Sequence, residues 1–197
     1  MNQQLHDELV AMQQRDSDVR SRLLREGRLY EGYAEEMQQV HRENAHRLSR
    51  LVSQHGWPTI CRVGIEGCRA AWLIAQHSIC TPELQRGFLA LLTEAAANGE
   101  VPKSQVAYLT DRIRYNEDKP QVYGSVLDWD DKGQLSCVVE DFANLDSRRQ
   151  AMGLETPYAD YLEAQRKAAD SEGAKAPRDL TEWRRARGEW AKSVGWI

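Results

Sequence analysis

His77 and Asp111 are the two residues of this sequence best suited to proton chemistry. His77 closes the run Ala70-Ala71-Trp72-Leu73-Ile74-Ala75-Gln76-His77, and Asp111 lies inside Tyr108-Leu109-Thr110-Asp111-Arg112. A histidine changes charge near neutrality, and a carboxylate set against one ring nitrogen would fix its tautomer for acid–base work. Polar groups inside apolar, aromatic-rich segments are costly to bury unless they are paired or used. Asn44, Trp57, Gln76, Arg112, Gln121, Tyr123 and Ser125 share that setting and are the candidate substrate contacts. Each has a plainer reading. His77 would suit a helix C-terminus, where a cation is favoured, and Asp111 could pair with Arg112 or Arg114. Trp57 would serve equally well as a core residue.

Other chemistries are poorly supported. Ser125 sits in no G-x-S-x-G elbow. Gly64-x-x-Gly67 lacks the strand before it and the Lys-Ser/Thr after it that a phosphate loop needs. His77-x-x-Cys80 could supply two zinc ligands, with Cys61 or Cys68 as a third, but half-buried cysteines commonly fill gaps between helices. The reading assigns no metal ligand and no cofactor. The four cysteines, Cys61, Cys68, Cys80 and Cys137, form no C-x-x-C pair and are too few for a disulfide scaffold in 197 residues.

These side chains would be carried by helices. Residues 3–53 read as one long helix or two, interrupted near Gly27 and Gly32, and Gly56-Trp57-Pro58 closes the second. Val63 to Gly67 reads as a loop before a helix over Cys68 to His77. Thr81-Pro82 opens a helix to about Ala97, stopped by Asn98-Gly99, and another runs from Lys103 or Ser104 to near Asn116. Helical period is then lost. Runs at 121–127 and 134–139 flank Asp128-Trp129-Asp130-Asp131-Lys132-Gly133, a hairpin signal. Short helices follow from Asn144 and from Tyr158, and residues 170–177 read as a linker.

The fold class expected is mainly α (α+β), a helical bundle with one small antiparallel hairpin near 121–139. The organisation expected is an N-terminal helical segment over 1–36, a core domain over 37–169, and a linker with a mobile Trp-rich extension over 170–197. The chain length suits one domain with a full core. A formal net charge of −4, mixed in sign, gives no field for capturing nucleic acid or an anionic membrane, so neither is an expected partner. The N-terminal residues lack the basic start and apolar run of a signal peptide, and cytoplasmic residence is the default expectation. Trp183, Trp190 and Trp196 with nearby arginines would dock on the parent domain or bind a protein partner.

Taken together, the motifs GWP at 56–58, AAWLIAQH at 70–77, YLTDR at 108–112 and PQVYG at 120–124 resemble those of a bacterial domain-of-unknown-function family. The likeness covers roughly residues 40–162 and includes Asn44, Gln76-His77, Asp111-Arg112, Gln121 and Tyr123-Gly124. It implies a shared fold and a shared pocket, and no established activity. Ser125 and Val126 depart from the threonine and glutamine usual in relatives, which puts a conserved ligand contact there in doubt. The functional expectation is a small-molecule enzyme of hydrolase, lyase or cyclase type using a His77–Asp111 pair. The competing expectation is a non-catalytic ligand-binding, immunity or interaction module that takes a small molecule or peptide.

Overall fold

The computed structural model describes all of residues 1–197 as eight α-helices and one two-stranded antiparallel sheet. The helices are α1 (Gln3–Arg25), α2 (Glu35–His55), α3 (Ile60–His77), α4 (Pro82–Ala97), α5 (Lys103–Asn116), α6 (Leu145–Ala151), α7 (Tyr158–Ser171) and α8 (Leu180–Val194), and the strands are β1 (Asp128–Trp129) and β2 (Leu135–Ser136). The chain divides into two compact units, Met1–Val106 and Ala107–Ile197. The division falls inside α5, within the stretch the sequence reads as one core domain. No helix is long and apolar enough to cross a membrane.

In the first unit α1, α2 and α3 pack together, and α4 joins them. The stripe that α1 buries is Leu5, Leu9, Asp16 and Leu23, and that of α2 includes Met37, Val40, His41, Asn44, Leu48 and Leu51. Residues three, four and seven apart share a helix face. Asp16 and His41 are therefore carried inward by the same periodicity that buries the leucines.

The segment Val63 to Gly67 is not the loop that the sequence suggests. α3 begins at Ile60 and kinks at Gly64, whose φ of 72° is open to glycine at little cost. The kink frees carbonyls that α1 reads directly. His6 Nδ1 lies 2.7 Å from Val63 O, and Asn2 N–H donates to Arg62 O at 2.7 Å. This clasp fixes α1 against α3, the two helices that supply Asp16 and His77.

The hairpin is much smaller than the two β-rich runs imply. Only Asp128↔Ser136 and Trp129↔Leu135 pair antiparallel, and Gln121 forms an isolated parallel bridge with Val139. Residues 122–126 are not a strand, because their backbone donors go to side chains rather than to a ladder. Val122, Tyr123 and Ser125 donate to Asp111, and Val126 N–H donates to Gln121 Oε1. The C-terminal extension is also more ordered than a mobile tail. Asp179 caps α8, Trp196 is buried, and Arg187 stacks on the Tyr115 ring at 4.0 Å.

Candidate functional site

Three helices of the first unit converge on one carboxylate oxygen. Asp16 Oδ2 of α1 lies 2.6 Å from Nδ1 of His77, the last residue of α3, and 3.3 Å from Nε2 of His41 on α2. The imidazole centroids are 4.8 Å apart. Asp16 and His41 are buried, whereas the His77 side chain keeps 29% of its surface exposed. The centre is closed on the side of α1 and α2 and reachable at His77.

Burial alone would push the Asp16 carboxyl up. Hydrogen bonds from His41 and His77 outweigh it and hold the group well below the usual carboxylate range, so Asp16 is an anion. Behind His41, its Nδ1 meets the Tyr33 hydroxyl at 2.5 Å, and the Cys80 thiol donates to that hydroxyl at 3.4 Å. Burial, reinforced by Cys80, raises the Tyr33 phenol and keeps it protonated. The order Cys80, Tyr33, His41, Asp16, His77 is a continuous polar path through an otherwise apolar bundle.

Asp111 is not the partner of His77. Its fully buried carboxylate accepts from Val122 N at 2.8 Å, Tyr123 N at 3.1 Å, and Ser125 N and Oγ each at 2.9 Å. Burial pushes this carboxyl up, and the four donors only partly offset it. Gln121 closes the same loop, donating through Nε2 to Val126 O at 2.6 Å. Arg149, also buried, donates to Tyr123 O and Thr156 O. Asp111, Gln121, Tyr123 and Ser125 thus meet in the second unit as a knot that shapes a loop. Its polar atoms are consumed internally.

The remaining nominated residues are dispersed. Asn44 Nδ2 donates to Met12 O at 3.2 Å and ties α2 to α1. Trp57 is a core residue with its ring 6.2 Å from that of Phe88. Gln76 is buried, its carbonyl accepting from Gln85 Nε2 at 3.0 Å, and its own amide nitrogen finds no acceptor. Arg112 is half-buried on α5. The cysteines do not gather as a zinc set: Cys61 is exposed, Cys68 faces Gln105, and Cys80 faces Tyr33.

The second unit contains a cleft of about 590 Å³, with Tyr115, Asp118, Lys119, Trp129, Arg184 and Arg187 among its lining residues. Its charges are mutually paired. Arg184 meets Asp131 at 2.6 Å and Arg187 meets Asp118 at 3.5 Å.

The sequence reading passes over Asp16, His41 and Tyr33. The first two had a signal. Asp16 stands seven residues from both Leu9 and Leu23, on the apolar stripe of α1, and His41 lies between Met37 and Asn44 on that of α2.

An all-helical first unit with a histidine–carboxylate centre at the meeting of three helices, followed by a loop-rich second unit, is the class of architecture present. By sequence the chain belongs to the family of unknown function DUF6624, whose model matches residues 3–175. The match takes in α1 and therefore all three members of the centre, and it ends before α8. No curated protein matches the chain. No solved structure matches it either.

Proposed function

We propose that this chain is a small-molecule enzyme of hydrolase, lyase or cyclase type, acting at Asp16, His41 and His77. His77 is the residue that meets substrate. The observation that carries the reading is the 2.6 Å contact between a buried, ionised Asp16 and a His77 still open to solvent. A carboxylate on Nδ1 fixes ring orientation and tautomer and leaves Nε2 to take or give a proton. Asp16 takes the orienting role that the sequence gives to Asp111. His41 holds Asp16 from the buried side, so His41 is a positioning residue.

The test is turnover of a panel of chromogenic esters, phosphate esters and glycosides by the wild type and His77→Gln. General acid–base catalysis contributes roughly 10²- to 10⁴-fold. A loss of that order at unchanged melting temperature supports the reading, and unchanged turnover overturns it.

A second reading, a non-catalytic ligand- or partner-binding module, is favoured by the cleft of the second unit. There paired charges of both signs flank Tyr115 and Trp129, a lining suited to a zwitterionic small molecule or a peptide. Removal of residues 170–197 takes away Arg184 and Arg187. It should abolish binding under this reading and leave it unchanged if the tail is not involved.

A further inference from the structure

We propose that Asp16, His41 and His77 together bind one divalent transition-metal ion. The inference rests on the reading of where the chemistry lies, and it changes which atom performs it. One carboxylate oxygen and two imidazole nitrogens, from three different helices, lie within 4.8 Å of one another. Two imidazoles and a carboxylate form a recurrent ligand set for catalytic zinc and for non-haem iron(II), each with coordination positions left open.

The dimensions are close to those an ion requires. Ligand atoms about 2.1 Å from a metal sit about 3 to 3.5 Å from each other in tetrahedral or octahedral geometry. Asp16 Oδ2 is 3.3 Å from His41 Nε2, and its 2.6 Å separation from His77 Nδ1 is that of a hydrogen bond an ion would replace. The rings need to move by only a few tenths of an ångström.

The groups behind the ligands also suit an ion. A metal-bound histidine usually donates its other N–H to an oxygen, which fixes the tautomer. The Tyr33 hydroxyl lies 2.5 Å from His41 Nδ1 and can accept that proton when Nε2 is metal-bound. His77 bound through Nδ1 carries its proton on Nε2, on the exposed side. The three helices cover the ion from within, so its open positions face the side where His77 meets solvent. Water on the ion then becomes the nucleophile, because a bound divalent ion lowers the pKa of its water. His77 becomes a ligand and no longer the proton carrier. Two imidazoles with a single carboxylate favour zinc, iron(II) or cobalt(II) over magnesium or calcium, which prefer oxygen donors.

The test uses the full chain and needs no substrate. Chelator-treated protein is titrated with Zn²⁺ by calorimetry and with Co²⁺ by visible absorption, alongside His41→Gln, His77→Gln and Tyr33→Phe. The proposal predicts one ion per chain, a Co²⁺ d–d band, and a thermal shift that grows with free Zn²⁺. Each histidine variant should lose the d–d band, and Tyr33→Phe should weaken affinity by about 10- to 100-fold. Circular dichroism checks that each variant is folded. His77→Gln, altered at the exposed member, remains decisive if His41→Gln fails to fold. Binding by His77→Gln equal to wild type overturns the proposal, as does the absence of stoichiometric binding. One ion bound without turnover retains the metal site and counts against the enzyme reading. Turnover that persists after complete metal removal retains the acid–base reading and overturns this one.

Discussion

Asp16 and His77, 61 positions apart in the chain, are brought within 2.6 Å by the packing of the first helix of the bundle against the third. The contact depends on features remote from it. The kink at Gly64 exposes Val63 O and Arg62 O, and His6 and Asn2 at the start of α1 engage them. The same helix pair is therefore pinned near one end by backbone contacts and joined further along by the histidine–carboxylate pair.

Asp16→Asn should cost about 1 to 3 kcal/mol, because it removes a buried acceptor on which two imidazoles converge. His77→Gln should cost less, since His77 is partly solvated. Urea denaturation of both variants checks the order, and a larger loss for His77→Gln would contradict the burial argument.

Asp111→Asn places an amide where four donors converge, so at least one N–H loses its acceptor inside the core. A destabilisation of about 2 kcal/mol or more is expected, with about 1 kcal/mol for Ser125→Ala. Metal binding at the first-unit centre should survive both changes. Chemical denaturation measures the cost, and a neutral Asp111→Asn would refute the loop-organising role.

Gly124→Ala should be strongly destabilising. The φ of 65° disfavours any side chain, and a Cβ would lie 2.8 Å from Tyr158 Cε2. A melting temperature within a degree of wild type would show that the loop relaxes freely.

Thiol labelling should be selective. Burial raises the Cys68, Cys80 and Cys137 thiols, so at pH 8 each carries less thiolate and reacts more slowly than an ordinary thiol. Cys61 is exposed. Maleimide followed by peptide mass spectrometry should find Cys61 modified first. Early modification of Cys80 would mean that the region around Tyr33 opens readily.

Most helices were legible because periodicity and stop signals agree. Gly27 and Gly32 fall between α1 and α2, Gly56 ends α2, and Asn98-Gly99 ends α4. The strands were not legible. The apolar runs at 121–127 and 134–139 satisfy the alternation of a hairpin, but a carboxylate eleven residues upstream takes the donors of Val122, Tyr123 and Ser125. A local pattern cannot report that competition. His77 was legible as a chemical residue, and its partner was not. Two acidic residues on helices were available, and Asp111 stood in the more apolar motif. The decisive cue was Asp16 on a leucine stripe, where a charge is expensive without a partner. His41 carried the same cue on α2.

The most direct test of the three-helix centre is an anomalous difference map from crystals of the protein grown with Zn²⁺. The account predicts a single dominant peak about 2.0 to 2.2 Å from an Asp16 oxygen, His41 Nε2 and His77 Nδ1. Peaks confined to surface carboxylates or to Cys61, with the Asp16–His77 hydrogen bond intact, would contradict it.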